Sequence, residues 1–235
     1  MRLIALPGLD GTGDLFRWLA REAPREFEVE AVAYPSDQAL DYGGHLEIAR
    51  QRLPCLPHQG PFLLLGESFS GPVAIRLAAE SPPGLAGLVL CNSFVRPPGW
   101  SGFRHLPWER LFQGPVPKAV IRRYLAGMWA SPELVAAVRA ANRNVAPEVR
   151  AARMREALGV DAREDLARVR VPVLCLRGTR DRLVRERSLR ALRSACPEAR
   201  IARIEAPHLL LQVAPREAWA AIQALVDGSE SAAAT

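Results

Sequence analysis

Short aliphatic runs bounded by turn residues recur along the chain: RLIALPG (2–8), FEVEAVAYP (27–35), PFLLLGES (61–68), LAGLVLCNS (85–93), VPVLCLRG (171–178) and ARIARIEA (199–206). Several are apolar at consecutive positions, the pattern of strands covered on both faces. Helical spacing fills the gaps near 41–54, 70–80, 186–196 and 215–226, and Pro215 opens the last of these where a missing N–H costs nothing. Strand alternating with helix predicts an α/β fold with a mainly parallel sheet flanked by helices.

The alternation breaks between Ser93 and about Asp161, where no strand pattern occurs. Pro-punctuated helical pieces replace it: PKAVIRRYLAGMWA (117–130), SPELVAAVRAANRN (131–144) and PEVRAARMREAL (147–158). Ser131 before Pro132 reads as an N-cap followed by a first-turn proline. DARE (161–164) reads as a capping box that opens a short helix ahead of the strand at 171. So long a strandless stretch between two strands is not expected to be bare loop. It predicts a helical cap, or lid, over residues 93–160 on a core made of 1–92 and 161–227, with GSESAAAT (228–235) as a flexible tail.

The length of 235 residues suffices for one large core, and no run of about 18 uncharged apolar residues is present to span a membrane. Met1 leads at once into LIALPG rather than into a secretory signal. The four cysteines (Cys55, Cys91, Cys175, Cys196) lack the spacing of metal or redox motifs. Together these features predict reduced thiols in a cytoplasmic protein. The formal charge of +6 is unevenly spread: residues 93–160 hold eleven Lys and Arg against four acids, a net +7, which leaves −1 elsewhere. All but one of the basic residues are Arg, so Arg abundance itself carries little weight. The basic insert reads either as solvated helix faces or as a face for an anionic partner. No groove-reading motif supports nucleic acid as that partner.

Within GESFSG (66–71), the order Gly66, Glu67, Ser68, Phe69, Ser70 nearly matches G-x-S-x-G, with an apolar strand before it and a helix pattern after it. At such a corner the serine hydroxyl stands exposed, and its neighbours two residues away must be small. The bland alternative is a polar turn with a capping serine. A serine hydroxyl is a poor nucleophile at neutral pH, so it needs a base, and the base needs an orienting acid. Asp181 follows the strand at 171–177, and His208 follows the strand at 199–205. Both land at strand C-terminal ends, the edge where open parallel sheets bind ligands. Of the other histidines, His45 is placed in a surface helix, His58 in a Pro-flanked loop and His105 in the cap. Taken singly, Asp181 also reads as a turn residue and His208 as a packing residue.

Acyl transfer builds negative charge on the carbonyl oxygen, which calls for two backbone N–H donors. Phe69, after the serine, would supply one. LPGLDGTGDLF (6–16) leaves its strand with three glycines in seven positions, so its backbone is free to approach a ligand closely, and Leu9 is the choice for the second donor. The same loop has neither Walker nor dinucleotide spacing.

The segments LPGLDG, GESFSG, GTRDRLV and APHLLLQ, in this order, resemble the α/β-hydrolase superfamily across essentially the whole chain. The resemblance implies Ser68 as nucleophile, Asp181 as acid, His208 as general base and cap helices at 93–160, with no metal and no cofactor. Pro7 stands where many members have His, and Ser70 stands in place of Gly. Because the strand pattern begins at residue 2, the family's usual first two strands are not expected, and the expectation is a sheet of about six. The basic cap is similar to that of bacterial carboxylesterases of the pimeloyl-carrier-protein methyl ester type and implies an acidic acyl-carrier partner. The expected activity is serine carboxylesterase, with a small acyl ester as substrate. Thioester hydrolysis and a catalytically idle binding protein are the rivals. Phe94, Trp100, Trp108 and Trp129 are candidates for an acyl pocket and equally for the core.

Overall fold

A computed structural model describes residues 1–53 and 60–228. Cys55, His58 and the tail beyond Gly228 lie outside the described residues. Six strands form: β1 (Arg2–Leu6), β2 (Glu28–Ala31), β3 (Phe62–Glu67), β4 (Leu85–Cys91), β5 (Val173–Gly178) and β6 (Arg200–Ile204). They pair in parallel in the order β2-β1-β3-β4-β5-β6. The consecutive apolar residues now have a cause, because successive side chains leave a strand on opposite faces. Ile4, Leu6, Leu64, Leu88, Leu90 and Cys175 face one layer, formed by helices Tyr42–Gln51, Gly71–Ala79 and Glu186–Ala195. Leu3, Ala5, Leu63, Leu65, Val89 and Leu176 face the other, where Trp219 of helix Pro215–Val226 is buried.

After β2 the chain returns across β1 to β3, so the strand order reverses there and opens a crevice at the C-terminal ends. β2 is shorter than its apolar run because the chain beyond it is used elsewhere: the Tyr34 N–H donates to the Gly11 carbonyl of the loop after β1.

Between β4 and β5 the described residues form helices and turns. Helices Pro132–Arg143 and Pro147–Ala157 match the pattern, and the Ser131 hydroxyl caps the first by accepting the Leu134 N–H at 3.1 Å. Leu134, Val135, Val138 and Ala141 cluster with Leu15 and Leu209, which lie after β1 and β6. The run 117–130 does not make one helix. It divides into Lys118–Val120, a wide turn Ile121–Leu125 and a tight turn Gly127–Trp129, and Gly127 sits at φ +57°, where a helix cannot continue.

Other local expectations also change. Asp161 does not close a capping box; its carboxylate accepts the Arg163 N–H and pairs with the Arg163 guanidinium, and the helix Arg163–Ala167 starts without a side-chain cap. His45 is 1% exposed rather than on the surface, with its Nδ1 against the Asp41 carbonyl and its ring edge-on to Tyr34 and Phe69. Burial holds its pKa down to about 4. Arg150 and Arg153 are buried, so the basic segment is not wholly a solvated face. Phe94 belongs to the core, whereas Trp100 is exposed against Phe103 and Trp108 stacks on Phe112.

Candidate active site

The corner after β3 is built from small residues for a steric reason. A Cβ at Gly66 would lie 2.8 Å from both the Ala74 Cβ and the Ser70 carbonyl, so strand and helix pass too closely for any side chain there. A side chain at Gly71 would overlap Ser93, whose hydroxyl donates to the Ser68 carbonyl at 2.7 Å. Between them Ser68 is forced to φ +47°, a left-handed conformation that costs a non-glycine residue about 1–3 kcal/mol. Helix Gly71–Ala79 and the buried strand hold it there.

Ser70, standing where the motif has glycine, is fully buried, and its hydroxyl donates to the Pro7 carbonyl while lying 3.0 Å from the Tyr34 hydroxyl. The departure from the motif therefore ties the corner after β3 to the loop after β1.

His208 and Asp181 arrive from the loops after β6 and β5. The Ser68 Oγ lies 2.9 Å from the His208 Nε2, and the His208 Nδ1 lies 3.0 Å from the Asp181 Oδ2. The remaining Asp181 oxygen accepts the Leu183 and Val184 N–H groups at 2.8 and 3.1 Å, and Arg177 of β5 donates to Oδ2 at 3.2 Å. Burial opposes ionisation of Asp181, but the His208 charge, the hydrogen bonds and Arg177 outweigh it and hold the carboxyl below its usual range. Burial likewise opposes a charged His208, yet Asp181 and the more distant Glu67 outweigh it and hold the imidazole above its ordinary value. A carboxylate on Nδ1 fixes the tautomer that leaves Nε2 free to accept the serine proton.

Three residues around this chain were missed in the sequence. Asn92, at the end of β4 with φ +43°, donates to the Pro207 and His208 carbonyls at 3.0 and 2.9 Å and accepts the Gly178 N–H at 2.8 Å. It bolts together the two loops that carry the acid and the imidazole. Arg177 had one signal, a charge inside an apolar strand run. Glu67 is 4% exposed and points away from Ser68 to the opposite sheet face, where Gln212 donates to it at 3.1 Å. Burial, with Asp10 nearby, pushes its pKa up to about 7.

The loop after β1 that holds Leu9 is tied to the corner after β3 that holds Phe69 through the Ser70 hydroxyl on the Pro7 carbonyl; Leu9 and Phe69 are the two expected amide donors. Neither amide has a hydrogen-bond acceptor among the described residues. Arg153, from helix Pro147–Ala157, donates to the Leu9 and Asp10 carbonyls at 3.0 and 2.7 Å.

A six-stranded parallel sheet of this order, with a strained serine after β3 and an imidazole after the last strand, defines an α/β-hydrolase. Residues 32–210 match the Hydrolase_4 family, described as serine aminopeptidase S33, and the chain belongs to that family. It is 28% identical over 242 residues to the polyketide synthase ThaQ of Burkholderia thailandensis. That match covers 86% of this chain but 10% of that protein, so the chain spans about a tenth of the length of its relative. Among solved structures it is similar to a hydrolase from Pseudomonas aeruginosa (20% identity, 96% of this chain and 89% of that one, TM-score 0.76). A thermophilic esterase from Thermogutta terrifontis is similar too (21% identity, 98% and 90%, TM-score 0.75). At such identities these likenesses establish the fold. No helix among the described residues is long and apolar enough to cross a membrane.

Proposed function

We propose that the protein is a serine hydrolase that cleaves carboxylic esters through an acyl-enzyme. The observation that carries this reading is the unbroken chain from Ser68 Oγ through both ring nitrogens of His208 to Asp181, starting from a serine at φ +47°. His208 takes the Ser68 proton as Oγ attacks the acyl carbon, and the Leu9 and Phe69 amides hold the oxygen that becomes negative. His208 then gives that proton to the leaving alcohol. Water, deprotonated by the same imidazole, attacks the acyl carbon; the bond to Ser68 Oγ breaks, His208 returns the proton to Oγ, and the acid is released.

Residues 93–160 serve as a cap over a core of 1–92 and 161–227. Their exposed face carries Arg104, Arg110, Lys118, Arg122 and Arg123, and we assign it to an acidic acyl-carrier protein. Similarity to a protein named as a polyketide synthase favours a carrier-borne acyl group and keeps a thioester as the second reading. Free Cys91, Cys175 and Cys196 fit a reducing, cytoplasmic setting.

Labelling with a fluorophosphonate, followed by peptide mass analysis, tests the mechanism: the adduct is expected on the peptide that holds Ser68. Rates on p-nitrophenyl esters, acyl-CoA thioesters and aminoacyl p-nitroanilides then rank ester, thioester and amide chemistry. Absence of an adduct, with no turnover in any series, refutes the enzyme reading in favour of a binding protein.

A further inference from the structure

Arg153 sits on helix Pro147–Ala157, far in sequence from every loop at the candidate site, yet its residue is 1% exposed. Its Nη1 donates to the Leu9 and Asp10 carbonyls at 3.0 and 2.7 Å, and its Nη2 donates to the Pro35 carbonyl at 2.9 Å. The guanidinium also lies over the Tyr34 ring, 5.7 Å from its centroid. A Cβ at Gly11 would overlap this guanidinium, so the glycine leaves room for it as well as adopting φ +73°. No carboxylate forms an ion pair with Arg153 among the described residues. Burial disfavours the guanidinium charge, and Asp10 offsets this only from beyond ion-pair distance, so an apolar side chain would fill the same space more cheaply. Stability alone therefore gives a poor account of the residue, whereas the groups it holds give a good one.

We propose that Arg153 is a positioning residue that sets the oxyanion hole by clamping the Leu9 and Asp10 carbonyls, so that the hole's geometry depends on where helix Pro147–Ala157 sits. The proposal rests on the reading of the Leu9 amide as an oxyanion donor. Most other peptide groups of that loop are tied: the Pro7 carbonyl to Ser70, the Gly8 N–H to Glu67, the Gly8 carbonyl to the Gly11 N–H and the Gly11 carbonyl to the Tyr34 N–H, which leaves the Leu9 and Asp10 N–H groups without acceptors among the described residues. With the carbonyls on its far side held by Arg153, Leu9 loses its backbone freedom while its own N–H stays uncommitted. The helix is itself anchored to the segment after β2, because Glu156 accepts the Tyr42 N–H at 2.8 Å and the preceding Ala146 N–H donates to the Ser36 carbonyl at 2.9 Å. Displacing the guanidinium leaves three carbonyls without donors and opens space into which Gly11 and its neighbours shift. A small shift of the Leu9 amide weakens binding of a negative tetrahedral species and leaves binding of a neutral ligand intact.

The test uses Arg153→Met, which keeps bulk and loses the donors, and Arg153→Lys, which keeps charge and loses the fork. With a p-nitrophenyl ester, kcat of the Met variant is expected to fall about 10²–10³-fold while KM stays within about threefold. Affinity for a trifluoromethyl ketone, to which Ser68 adds to form an oxyanion, falls in step; affinity for the corresponding carbinol does not. Hydrogen exchange over residues 7–12 speeds up in the Met variant while β3 and β4 stay protected. The Lys variant falls between, and it decides the matter through the same readouts if the Met variant does not fold. Wild-type kcat in a folded variant, equal losses for ketone and carbinol, or unchanged exchange over 7–12 overturns the proposal. Wild-type protein that neither turns over esters nor binds the ketone refutes the hydrolase reading instead, and the exchange measurement still reports on the clamp.

Discussion

At the scale of single residues, what could be recognised in advance divides by the type of partner. The proposed roles of Ser68, Asp181 and His208 lie in side chains at predictable strand ends, so order and spacing singled them out, and the structure brings the three within hydrogen-bond distance. Asn92 and Arg153 act mainly on backbone groups of distant loops, and no local pattern encodes a carbonyl more than a hundred residues away. Asn92→Ala leaves two carbonyls and one N–H unsatisfied beneath the loops of the acid and the imidazole. It is expected to cost about 1–3 kcal/mol in urea unfolding and to lower kcat through a misplaced His208; wild-type values of both contradict this role. Glu67 makes a separate prediction through its pKa of about 7 against an ordinary 4.5. Between those values the folded chain keeps a proton that the unfolded chain has released. Stability therefore falls as pH rises, by about 3 kcal/mol in all, and the whole penalty is present above pH 7. Asp10, His208, Gln212 and the Gly8 N–H all face this carboxyl. Glu67→Gln removes this titration and leaves the opposing one of His45, whose pKa of about 4 makes stability rise with pH up to about 6.5, so the unfolding free energy of wild type minus that of the variant is expected to fall from pH 5 to 8, and a constant difference counts against it.

At the scale of elements, the strands were easy to recognise because burial on both faces writes a consecutive apolar run, as in LLL at 63–65. The helix at 42–51 kept its place but not its facing, since His45 satisfies Nδ1 on the Asp41 carbonyl of its own first turn and so enters the core. The run 117–130 failed as a helix because helical spacing of Ile121, Leu125 and Met128 is blind to Gly127, which breaks the hydrogen-bond ladder. The join between β3 and its helix is the element on which the site depends most. Gly66→Ala pushes a methyl group into the Ala74 Cβ and the Ser70 carbonyl, both 2.8 Å from its place, and both belong to a packed interior. Strand and helix must separate, at a cost of about 1–3 kcal/mol. Because Ser68 rides on this join, kcat is expected to drop more than thermal stability suggests, and equal wild-type kcat in a folded variant contradicts a strained corner.

At the scale of the whole molecule, charge and apolar surface are separated from the sheet. Of the large exposed hydrophobic side chains, Trp100, Phe103, Leu106, Leu111, Val120, Tyr124 and Met128 all fall between β4 and β5. Arg104, Arg110, Lys118, Arg122 and Arg123 lie among them and are exposed, while Glu109 is engaged by Arg155. The sequence showed the excess of charge but not its division, because helix Pro147–Ala157 turns Arg150 and Arg153 inward and leaves the positive field to residues nearer β4. If that field steers an acidic carrier, its effect lies in encounter rather than in chemistry. The value of kcat/KM for an acyl group on an acidic carrier is then expected to fall several-fold as ionic strength rises from about 0.01 to 0.15 M, where the Debye length shrinks from about 30 to 8 Å. A neutral p-nitrophenyl ester with the same acyl chain needs no steering, so its kcat/KM is expected to stay flat over that range. Replacing Arg122 and Arg123 with Ala should reduce the salt slope for the carrier-bound substrate and leave the small ester untouched, since among the described residues both side chains are exposed and neither hydrogen-bonds to Ser68, His208 or Asp181. Equal salt dependence for both substrates would assign the charge to solvated surface and leave the exposed aromatic residues without this partner.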